Sequence, residues 1–371
     1  MLNHWPKVAI IILNWNGWKD TIECLESVFR NTYTNYQVIV IDNGSANGSI
    51  KKIKAWADGT QEVLAPEPSH PLYHLSHPAV KKPIPYIYYS PEEAERGGNF
   101  KLEEKVTKEW QERKKVNSKK LNPTSSYPLI FIQTDENLGF AGGNNIGIKY
   151  ILKRNSSYIL LLNNDLVVDE YFLKSLLEIA ENNELIPGII GSKIYYYDRP
   201  NIIQSIGARM NMWTGRGLFI GNKEYDNGNK YNTISEVDWI SGAIMFIKSS
   251  IFQKIDLFDI RYFLFYEETD LCFRAKRQNF KIYVVPSSKV WHKGGASTMS
   301  STAEYFLTVN RMRFFKNNTR IFNGPVFILF YLVGSFKRFL IFLLRKNKNS
   351  ANAVLKGIID GFKIFFKKNK F

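Results

Sequence analysis

Residues 8–17 have the sequence VAIIILNWNG, in which six apolar residues are followed by Asn14, Trp15 and Asn16. A short, continuous apolar run of this kind predicts a strand buried on both faces of a parallel sheet. Two further apolar runs, 38–41 and 158–162, also end in polar residues. These residues are Asp42, Asn43, Asn163, Asn164 and Asp165. Because ligands of open parallel sheets bind beyond the carboxyl ends of the strands, the sequence predicts a polar site with a metal at one sheet edge.

The pattern around these runs alternates between strands and amphipathic helices over residues 7–58 and again from residue 129 onward. This alternation predicts an α/β fold, with a Rossmann-like, mostly parallel central sheet and helices on both of its faces. Between the two stretches, residues 59–127 contain seven prolines between positions 66 and 91, followed by a dense mixture of Lys and Glu. We interpret 59–127 as an insertion that projects from a domain spanning residues 1–317.

The net charge of the chain is +16, and more than half of it lies near the C-terminus. Residues 321–371 hold ten basic residues and one acid, Asp360, interspersed with apolar runs. Two charges, Lys337 and Arg338, interrupt the longest run, which favours an amphipathic interfacial or re-entrant segment over a clean membrane span. We therefore expect residues 318–371 to form a basic amphipathic tail that contacts a membrane surface, and we expect no nucleic-acid partner.

A glycine-rich stretch, NLGFAGGNN at residues 137–145, precedes a predicted helix. Backbone N–H groups of such a loop can face a phosphate or a sugar, although a tight strand-to-helix connection would have the same composition. Asp42 also has two interpretations: it either binds a nucleobase or ribose, or it begins an Asx-turn. For Asp165 the choice is between a ligand of Mg²⁺ or Mn²⁺ and a turn or cap residue.

Three acids, Glu267, Glu268 and Asp270, open a predicted helix directly after an aromatic stretch. Mutual repulsion and partial burial would raise the pKa of at least one of them, as suits a general base, although acids are also common at helix N-termini. His292 follows a predicted strand and is either a metal ligand or a structural residue.

In this order on one α/β chain, these motifs resemble those of the inverting family 2 glycosyltransferases, which have the GT-A fold, and most of all their rhamnosyltransferase branch. The resemblance covers residues 7–58, residues 129 to about 317 and the basic apolar tail. The motifs that carry it are ILNWNG (12–17), DNGS (42–45), NLGFAGGN (137–144), DWISGA (238–243) and EETDLC (267–272).

The resemblance implies a role for each motif. Asp42 would bind the nucleotide base, Asp165 and His292 would hold a divalent metal, Mg²⁺ or Mn²⁺, on the diphosphate, and Glu268 would be the catalytic base. Glu267 and Asp270 would be its acidic neighbours. The remaining nucleotide-sugar contacts would come from Asn14, Asn16, Asn43, Asn137, Gly139, Gly143, Asn144, Asn163, Asn164, Trp239 and Gly242.

The sequence departs from the family pattern in three places. Glu268 stands where an Asp is usual, Asn163 occupies the first position of the DXD-like motif, and the 59–127 insertion replaces a much shorter link. The expected activity is transfer of a sugar, with dTDP-rhamnose as one possible donor, to a glycan or lipid-linked acceptor at the cytoplasmic membrane face. The alternatives are a sugar nucleotidyltransferase, whose glycine-rich loop after the first strand is missing here, and a non-catalytic nucleotide- or membrane-binding protein.

Overall fold

The computed structural model describes residues 5–64, 66–116, 123–154, 156–182, 184–294, 300–318 and 324–367. Strands in these ranges are Val8–Asn14 (β1), Tyr36–Asn43 (β2), Tyr86–Tyr89 (β3), Leu129–Thr134 (β4), Tyr158–Asn163 (β5), Leu166–Val168 (β6), Pro187–Tyr196 (β7), Arg199–Ser205 (β8), Ala208–Asn211 (β9), Arg216–Phe219 (β10), Ser235–Glu236 (β11), Ile244–Lys248 (β12) and Lys281–His292 (β13).

The helices in the same ranges are Trp18–Val28 (α1), Ser49–Asp58 (α2), Pro91–Glu95 (α3), Phe100–Val116 (α4), Gly139–Leu152 (α5), Phe172–Ala180 (α6), Phe252–Ile255 (α7), Glu267–Arg277 (α8), Ser301–Asn318 (α9), Gly324–Leu344 (α10) and Lys348–Phe366 (α11). Short 3₁₀ turns occur at Tyr73–Leu75, Ser249–Ile251 and Ile260–Tyr262.

The main sheet has the strand order β11-β13-β7-β12-β5-β1-β2-β4-β3, with β6 paired to β13 and β8 paired to β7. From β5 to β3 the neighbouring strands are parallel, whereas β12 runs antiparallel to both β5 and β7. Val8 to Ile12 are completely buried, as expected for a central strand covered on both sides. The predicted α/β fold is therefore confirmed, with a sheet that is parallel in its central part and mixed beyond it.

Two apolar layers cover the two faces of the sheet. On one face, α1, α2 and α6 contribute Leu25, Trp56 and Leu176 to the core. On the other, α5 and α8 contribute Ile148 and Leu271. Helices therefore lie on both faces, and the strand ends remain free at the edge where the polar clusters are found.

The 59–127 segment does not project from the domain as predicted. Its strand β3 pairs in parallel with β4 and extends the sheet by one strand. Glu26 of α1, which is fully buried, accepts hydrogen bonds from the backbone N of Val80 (2.8 Å) and Nζ of Lys82 (2.8 Å). The segment packs against the domain because apolar residues of β3, including Ile87, alternate toward the core despite the nearby prolines.

The C-terminal helices also pack on the domain. Phe327 and Tyr331 of α10 are buried with Phe314 and Phe315 of α9, and the rings of Phe315 and Phe327 stack at 3.8 Å. By length and composition, α10 is the one helix among the described residues that could cross a membrane.

Candidate active site

The polar clusters lie at one edge of the sheet. Strand register pairs Asn14 of β1 with Asp42 of β2, and pairs Asp42 in turn with Gln133 of β4. On the other side of β1, Leu13 is paired with Asn163 of β5. Because these strands are parallel and in step, their polar ends occupy neighbouring positions at the C-terminal rim.

Asp42 is the centre of a buried hydrogen-bond network. Its Oδ1 accepts from Asn14 Nδ2 (2.7 Å) and from Ser45 Oγ (2.5 Å), and its Oδ2 accepts from Gln133 Nε2 (3.2 Å). Asn16, in the next loop, accepts from the backbone N of Ala46 (3.0 Å). These hydrogen bonds hold the C-terminal ends of β1 and β2 together.

Asn14 extends this network toward the third strand end. Its Oδ1 accepts from Thr21 Oγ1 (2.9 Å) and lies 3.4 Å from Nδ2 of Asn164, which also donates to Thr21 Oγ1 (3.0 Å). The backbone N of Asn163 donates to the carbonyl of Ala243 (2.8 Å). The network therefore runs from Asp42 through Asn14 to Asn164, the residue immediately before Asp165.

The glycine-rich loop is held by Asn43. The amide Nδ2 of Asn43 donates to Asn137 Oδ1 (3.0 Å) and to the carbonyl of Gly139 (3.1 Å), and its Oδ1 accepts from Leu138 N (3.1 Å). These bonds use the side chains of Asn43 and Asn137 to shape the loop. Asn144 similarly donates from Nδ2 to the carbonyl of Phe140 (3.0 Å).

Close packing explains two of the glycines. A Cβ atom on Gly143 would lie 2.5 Å from Cδ1 of Leu13, so this glycine lets α5 approach β1. Gly139 has a φ of +72°, and a Cβ there would lie 2.3 Å from the carbonyl oxygen of Phe263. Since Phe140 N donates to the same carbonyl (2.7 Å), this loop supports the segment before the acid pair.

We expect Gly139→Ala to destabilise the protein by about 2 kcal/mol or more, because it adds a backbone clash to the cost of a left-handed conformation. Gly48→Ala is the matched control, since Gly48 has a φ of +76° but no atom within 4 Å of a Cβ. Urea unfolding of both variants separates the two effects. Equal losses of stability would show that the Phe263 contact is unimportant.

Asp165 and His292 form a close pair. His292 Nε2 lies 3.2 Å from Asp165 Oδ1, and His292 Nδ1 lies 2.7 Å from Oε1 of Gln204. Burial opposes ionisation of Asp165, but His292, a backbone hydrogen bond and Lys293 together hold the pKa of the carboxyl below its usual value. The adjacent Lys293 binds Asp20 (2.7 Å) and the buried Glu23, which fixes the end of β13.

This pair fits a divalent cation that also binds substrate phosphates. Asp165 Oδ1 is buried, and its 3.2 Å contact with His292 Nε2 is the one side-chain contact that the structure gives for it in the described ranges. The Gln204 contact orients His292 so that Nε2 faces this oxygen. Mg²⁺ and Mn²⁺ commonly bind through one or two protein groups together with phosphate oxygens. No group of three or more His, Cys, Asp or Glu with metal-binding geometry occurs in the described ranges.

The acid pair begins α8 after a strained loop. Phe263, Phe265 and Tyr266 all have positive φ angles, of 25°, 65° and 72°. Asn310 of α9 stabilises this backbone by donating from Nδ2 to the carbonyls of Tyr262 (3.1 Å), Leu264 (2.9 Å) and Phe265 (3.1 Å). Such strain, maintained by a buried side chain, is typical of a functional site.

Burial raises the pKa of Glu268 to about 7, and burial together with repulsion from Glu268 raises that of Glu267 well above its usual value. Glu267 is only 4% exposed, whereas Glu268 is less buried. A Cβ on Gly242 would lie 3.5 Å from Cβ of Glu268 and 3.4 Å from Phe140, so a side chain there would crowd both. Gly242 therefore joins the DWISGA motif, the glycine-rich loop and the acid pair.

Asp270 and Trp239 lie in supporting positions. Asp270 Oδ2 accepts from Arg274 Nε (2.7 Å), and Arg274 also donates to backbone carbonyls after α7, including that of Leu257 (2.9 Å). Trp239 is 7% exposed, and its ring lies 4.9 Å from that of Phe219. The carboxylate of Asp270 thus forms an ion pair with Arg274 within α8.

Three residues of this site, Gln133, Gln204 and Asn310, were not among those predicted from the sequence. Gln133 could have been found, because it is the last polar residue of a predicted strand next to β2. Gln204 and Asn310 contact the site from 88 and 45–48 positions away in sequence, respectively, and no local pattern marks them.

Comparison with known proteins agrees with this architecture. The model of the Glycosyltransferase like family 2 matches residues 125–313, about half of the chain, and the Glycosyl transferase family 2 model matches residues 9–65. The chain belongs to the family 2 glycosyltransferases. Its sheet agrees with the GT-A fold that the sequence motifs implied.

Curated relatives include hexosyl- and rhamnosyltransferases. The chain is 29% identical over 157 residues to the low-salt glycan biosynthesis hexosyltransferase Agl10 of Haloferax volcanii, covering 42% of this chain and 48% of that protein. It is 23% identical over 163 residues to rhamnosyltransferase WbbL of Escherichia coli, covering 42% and 60%. The chain thus matches about half the length of the first relative.

Among solved structures, the mannosyltransferase PcManGT from Pyrobaculum calidifontis, in complex with GDP-Man and Mn²⁺, aligns over 99% of this chain and 89% of its own. The TM-score is 0.49 and the sequence identity is 10%.

Proposed function

We propose that the protein is an inverting glycosyltransferase that moves a sugar from a nucleotide-sugar donor to a hydroxyl group of a glycan or lipid-linked acceptor. The main support is that the hydrogen-bond network of Asp42, Asn14 and Asn164 ends at the residue immediately before Asp165, which pairs with His292. Glu268, the less buried residue of the acid pair, lies near the glycine-rich loop, because Gly242 approaches both Glu268 and Phe140. Similarity to rhamnosyltransferases makes dTDP-rhamnose our first candidate donor.

In this proposal, Asp42 receives hydrogen bonds from the nucleotide base or ribose, while Asn14 and Ser45 hold its carboxylate in place. Asp165 and His292 hold a divalent cation, Mg²⁺ or Mn²⁺. When bound, this cation would neutralise charge on the leaving nucleoside diphosphate.

Glu268 accepts the proton of the acceptor hydroxyl as that oxygen attacks the anomeric carbon. The C–O bond to the new sugar forms on the face opposite the departing diphosphate, so the configuration at the anomeric carbon inverts. Glu267 is the more buried of the two acids, and its raised pKa favours a proton there, so that the pair does not carry two negative charges.

A screen of nucleotide sugars tests the function. We expect one or more donors to be hydrolysed slowly without acceptor, and to raise the temperature of unfolding more with Mn²⁺ than without it. Failure of a full set of UDP-, dTDP-, GDP- and CMP-sugars to bind or react would reject the proposal.

The raised pKa of Glu268, about 7, predicts the pH dependence of transfer. A base must be ionised, so kcat/KM should fall about tenfold for each pH unit below 7 and reach a plateau above it. Initial rates of transfer between pH 5 and 9 measure this fall in kcat/KM. A profile that is flat across pH 6 to 8 would exclude a base with this pKa.

We also propose that the protein associates peripherally with the cytoplasmic face of a membrane through α10 and α11. Exposed apolar residues recur on α10 at helical spacing and form a stripe. This apolar stripe consists of Val326, Leu329, Phe330, Val333, Phe336, Leu340 and Leu343. Basic residues of the tail would favour anionic lipids by about 1 kcal/mol each.

Replacement of Leu329, Val333 and Phe336 by Gln should lower partitioning onto anionic vesicles by about a hundredfold or more, because each side chain loses apolar burial. The residues are 59–60% exposed, so folding should be unaffected. This change is cleaner than truncation after Asn317, which would expose the buried Phe314 and Phe315.

The matched control replaces three apolar residues exposed elsewhere, Leu64, Leu102 and Ile260, by Gln. Vesicle sedimentation compares the two triple variants with the wild-type protein. Equal binding by all three proteins would refute membrane contact through the stripe.

A further inference from the structure

Three cations meet where α9 packs on α10. Lys337 and Arg338 lie three and four residues after Gly334 on α10, and so are neighbours of this glycine on the helix surface. Arg311 of α9 reaches the same place, since its Nη1 would lie 3.8 Å from a Cβ on Gly334. The missing side chain at Gly334 leaves a gap over Arg311. We call Arg311, Lys337 and Arg338 the basic cluster.

The protein itself neutralises this cluster only in part. Arg338 Nη1 lies 3.4 Å from Glu304 Oε2, and its Nη2 contacts the hydroxyl of Thr308. Arg311 Nη2 donates to the carbonyl of Thr214 (2.7 Å), but its buried Nε has no acceptor within the described ranges. Burial, and secondarily the charge of Arg338, lower the pKa of Arg311. A partly buried guanidinium without an anionic partner is costly, and an anionic ligand would remove that cost.

Arg311 and Arg338 of the basic cluster lie near Tyr266, the residue that precedes the acid pair. The phenol of Tyr266, whose pKa is raised mainly by burial, is close enough to interact electrostatically with Arg311, Arg338 and Glu268. Tyr266 immediately precedes Glu267, and Asn310, the neighbour of Arg311, holds the loop that leads to it. A group bound by the arginines would therefore be close to a hydroxyl presented to Glu268.

An apolar surface begins at the same place. The apolar stripe of α10 runs past the cluster, with Phe330 and Phe336 exposed on either side of Gly334 in sequence. The β9–β10 turn adds Trp213, which is 54% exposed, and Gly215 of this turn packs on Phe327. Cations at the end of an exposed apolar surface match an amphiphile with an anionic head group.

We propose that Arg311 and Arg338, with Lys337 at the rim, bind the phosphate of the acceptor, and that an apolar chain on this phosphate lies along the stripe of α10. The inference rests on the proposed function and specifies it, because it makes the acceptor a sugar joined through phosphate to an apolar chain. The phosphate occupies the gap over Gly334, and the sugar extends past Tyr266 to Glu268.

Titration calorimetry with dodecyl phosphate, dodecyl maltoside and inorganic pyrophosphate tests the site without any enzymatic reaction. We expect dodecyl phosphate, below its micellar concentration, to bind about tenfold or more tightly than dodecyl maltoside, a difference typical of one charge-assisted hydrogen bond. Pyrophosphate, which lacks the chain, should bind more weakly than dodecyl phosphate. Equal affinity for the two amphiphiles, or tighter binding of pyrophosphate, would overturn the proposal.

Variants locate the binding. Arg311→Gln and Gly334→Leu should each remove the preference for dodecyl phosphate, the first by deleting a cation and the second by filling the gap while every charge is kept. Arg345→Gln, which removes an exposed cation beyond the cluster, should leave the preference intact. If both Arg311→Gln and Gly334→Leu unfolded at the wild-type temperature and still preferred dodecyl phosphate over dodecyl maltoside, the phosphate would bind at another site.

This outcome is independent of the donor screen. A protein that hydrolyses nucleotide sugars but shows no preference for dodecyl phosphate retains the proposed function and loses this acceptor site. A protein that binds dodecyl phosphate through Arg311 but accepts no nucleotide sugar loses the proposed function, and with it the assignment of the bound phosphate to a sugar acceptor.

Discussion

Glu268→Gln should lower the rate of sugar transfer by about a thousandfold while leaving donor affinity unchanged. The amide cannot accept the hydroxyl proton, and general bases contribute about a hundred- to ten-thousandfold to such rates. Donor affinity should survive because Glu268 lies against Gly242 and Phe140, apart from the hydrogen bonds of Asp42. Single-turnover transfer and equilibrium binding of the donor measure the two quantities separately.

Stability measurements exclude misfolding as the cause. Since burial raises the pKa of Glu268 in the folded protein, the free energy of unfolding should fall as pH rises from the unfolded-state value toward about 7. Gln at this position removes that loss, so the variant should be at least as stable as the wild type at pH 8. Glu267→Gln should retain more activity, because Glu267 is the more buried acid. Wild-type turnover in Glu268→Gln would shift the base to Glu267 or Asp270.

Asp165→Asn should weaken Mn²⁺ binding in the presence of nucleoside diphosphate by about a hundredfold or more. The change removes the charged member of the only Asp–His pair at this rim in the described structure. Gln204→Leu should cost less, about tenfold, because Gln204 orients His292 without supplying a ligand. Electron paramagnetic resonance of free Mn²⁺ measures both constants without relying on turnover.

Asp20→Asn provides the control for charge. Asp20 pairs with Lys293 (2.7 Å), next to His292, so its loss changes the local charge by the same amount. We expect Mn²⁺ affinity to change little in this variant. If Asp165→Asn bound Mn²⁺ as tightly as the wild type, Asp165 would not be a metal ligand.

The rim of the sheet was predictable from local pattern alone. A fully apolar strand followed by Asn or Asp, repeated at Asn14, Asp42 and Asn163, leaves few alternatives to a parallel sheet with its polar ends together. The position of Glu268 near the glycine-rich loop was harder to predict from the sequence. It depends on Phe140 and Gly242, which are far apart in sequence and meet only after the sheet has formed.

The insertion was harder to predict because its strand is short. Tyr86–Tyr89 has four residues and follows two prolines. The proline content of the segment therefore favoured an irregular structure over the short alternation that buries Ile87 and Tyr89.

The hydrogen bonds of the site also change how the glycine-rich loop is understood. Asn43, Asn137 and Gly143 were predicted to bind the donor, yet their side-chain bonds and packing serve the loop itself. Their contribution to donor binding remains a prediction.

We propose that Asp42 and Asp165 bind two ends of one donor molecule. Titration of a nucleoside and its diphosphate, with Mn²⁺ present, into wild-type protein, Asp42→Asn and Asp165→Asn tests this arrangement. We predict that Asp42→Asn weakens binding of both ligands, whereas Asp165→Asn weakens binding of the diphosphate alone. Unchanged diphosphate affinity in either variant would contradict a shared donor pocket.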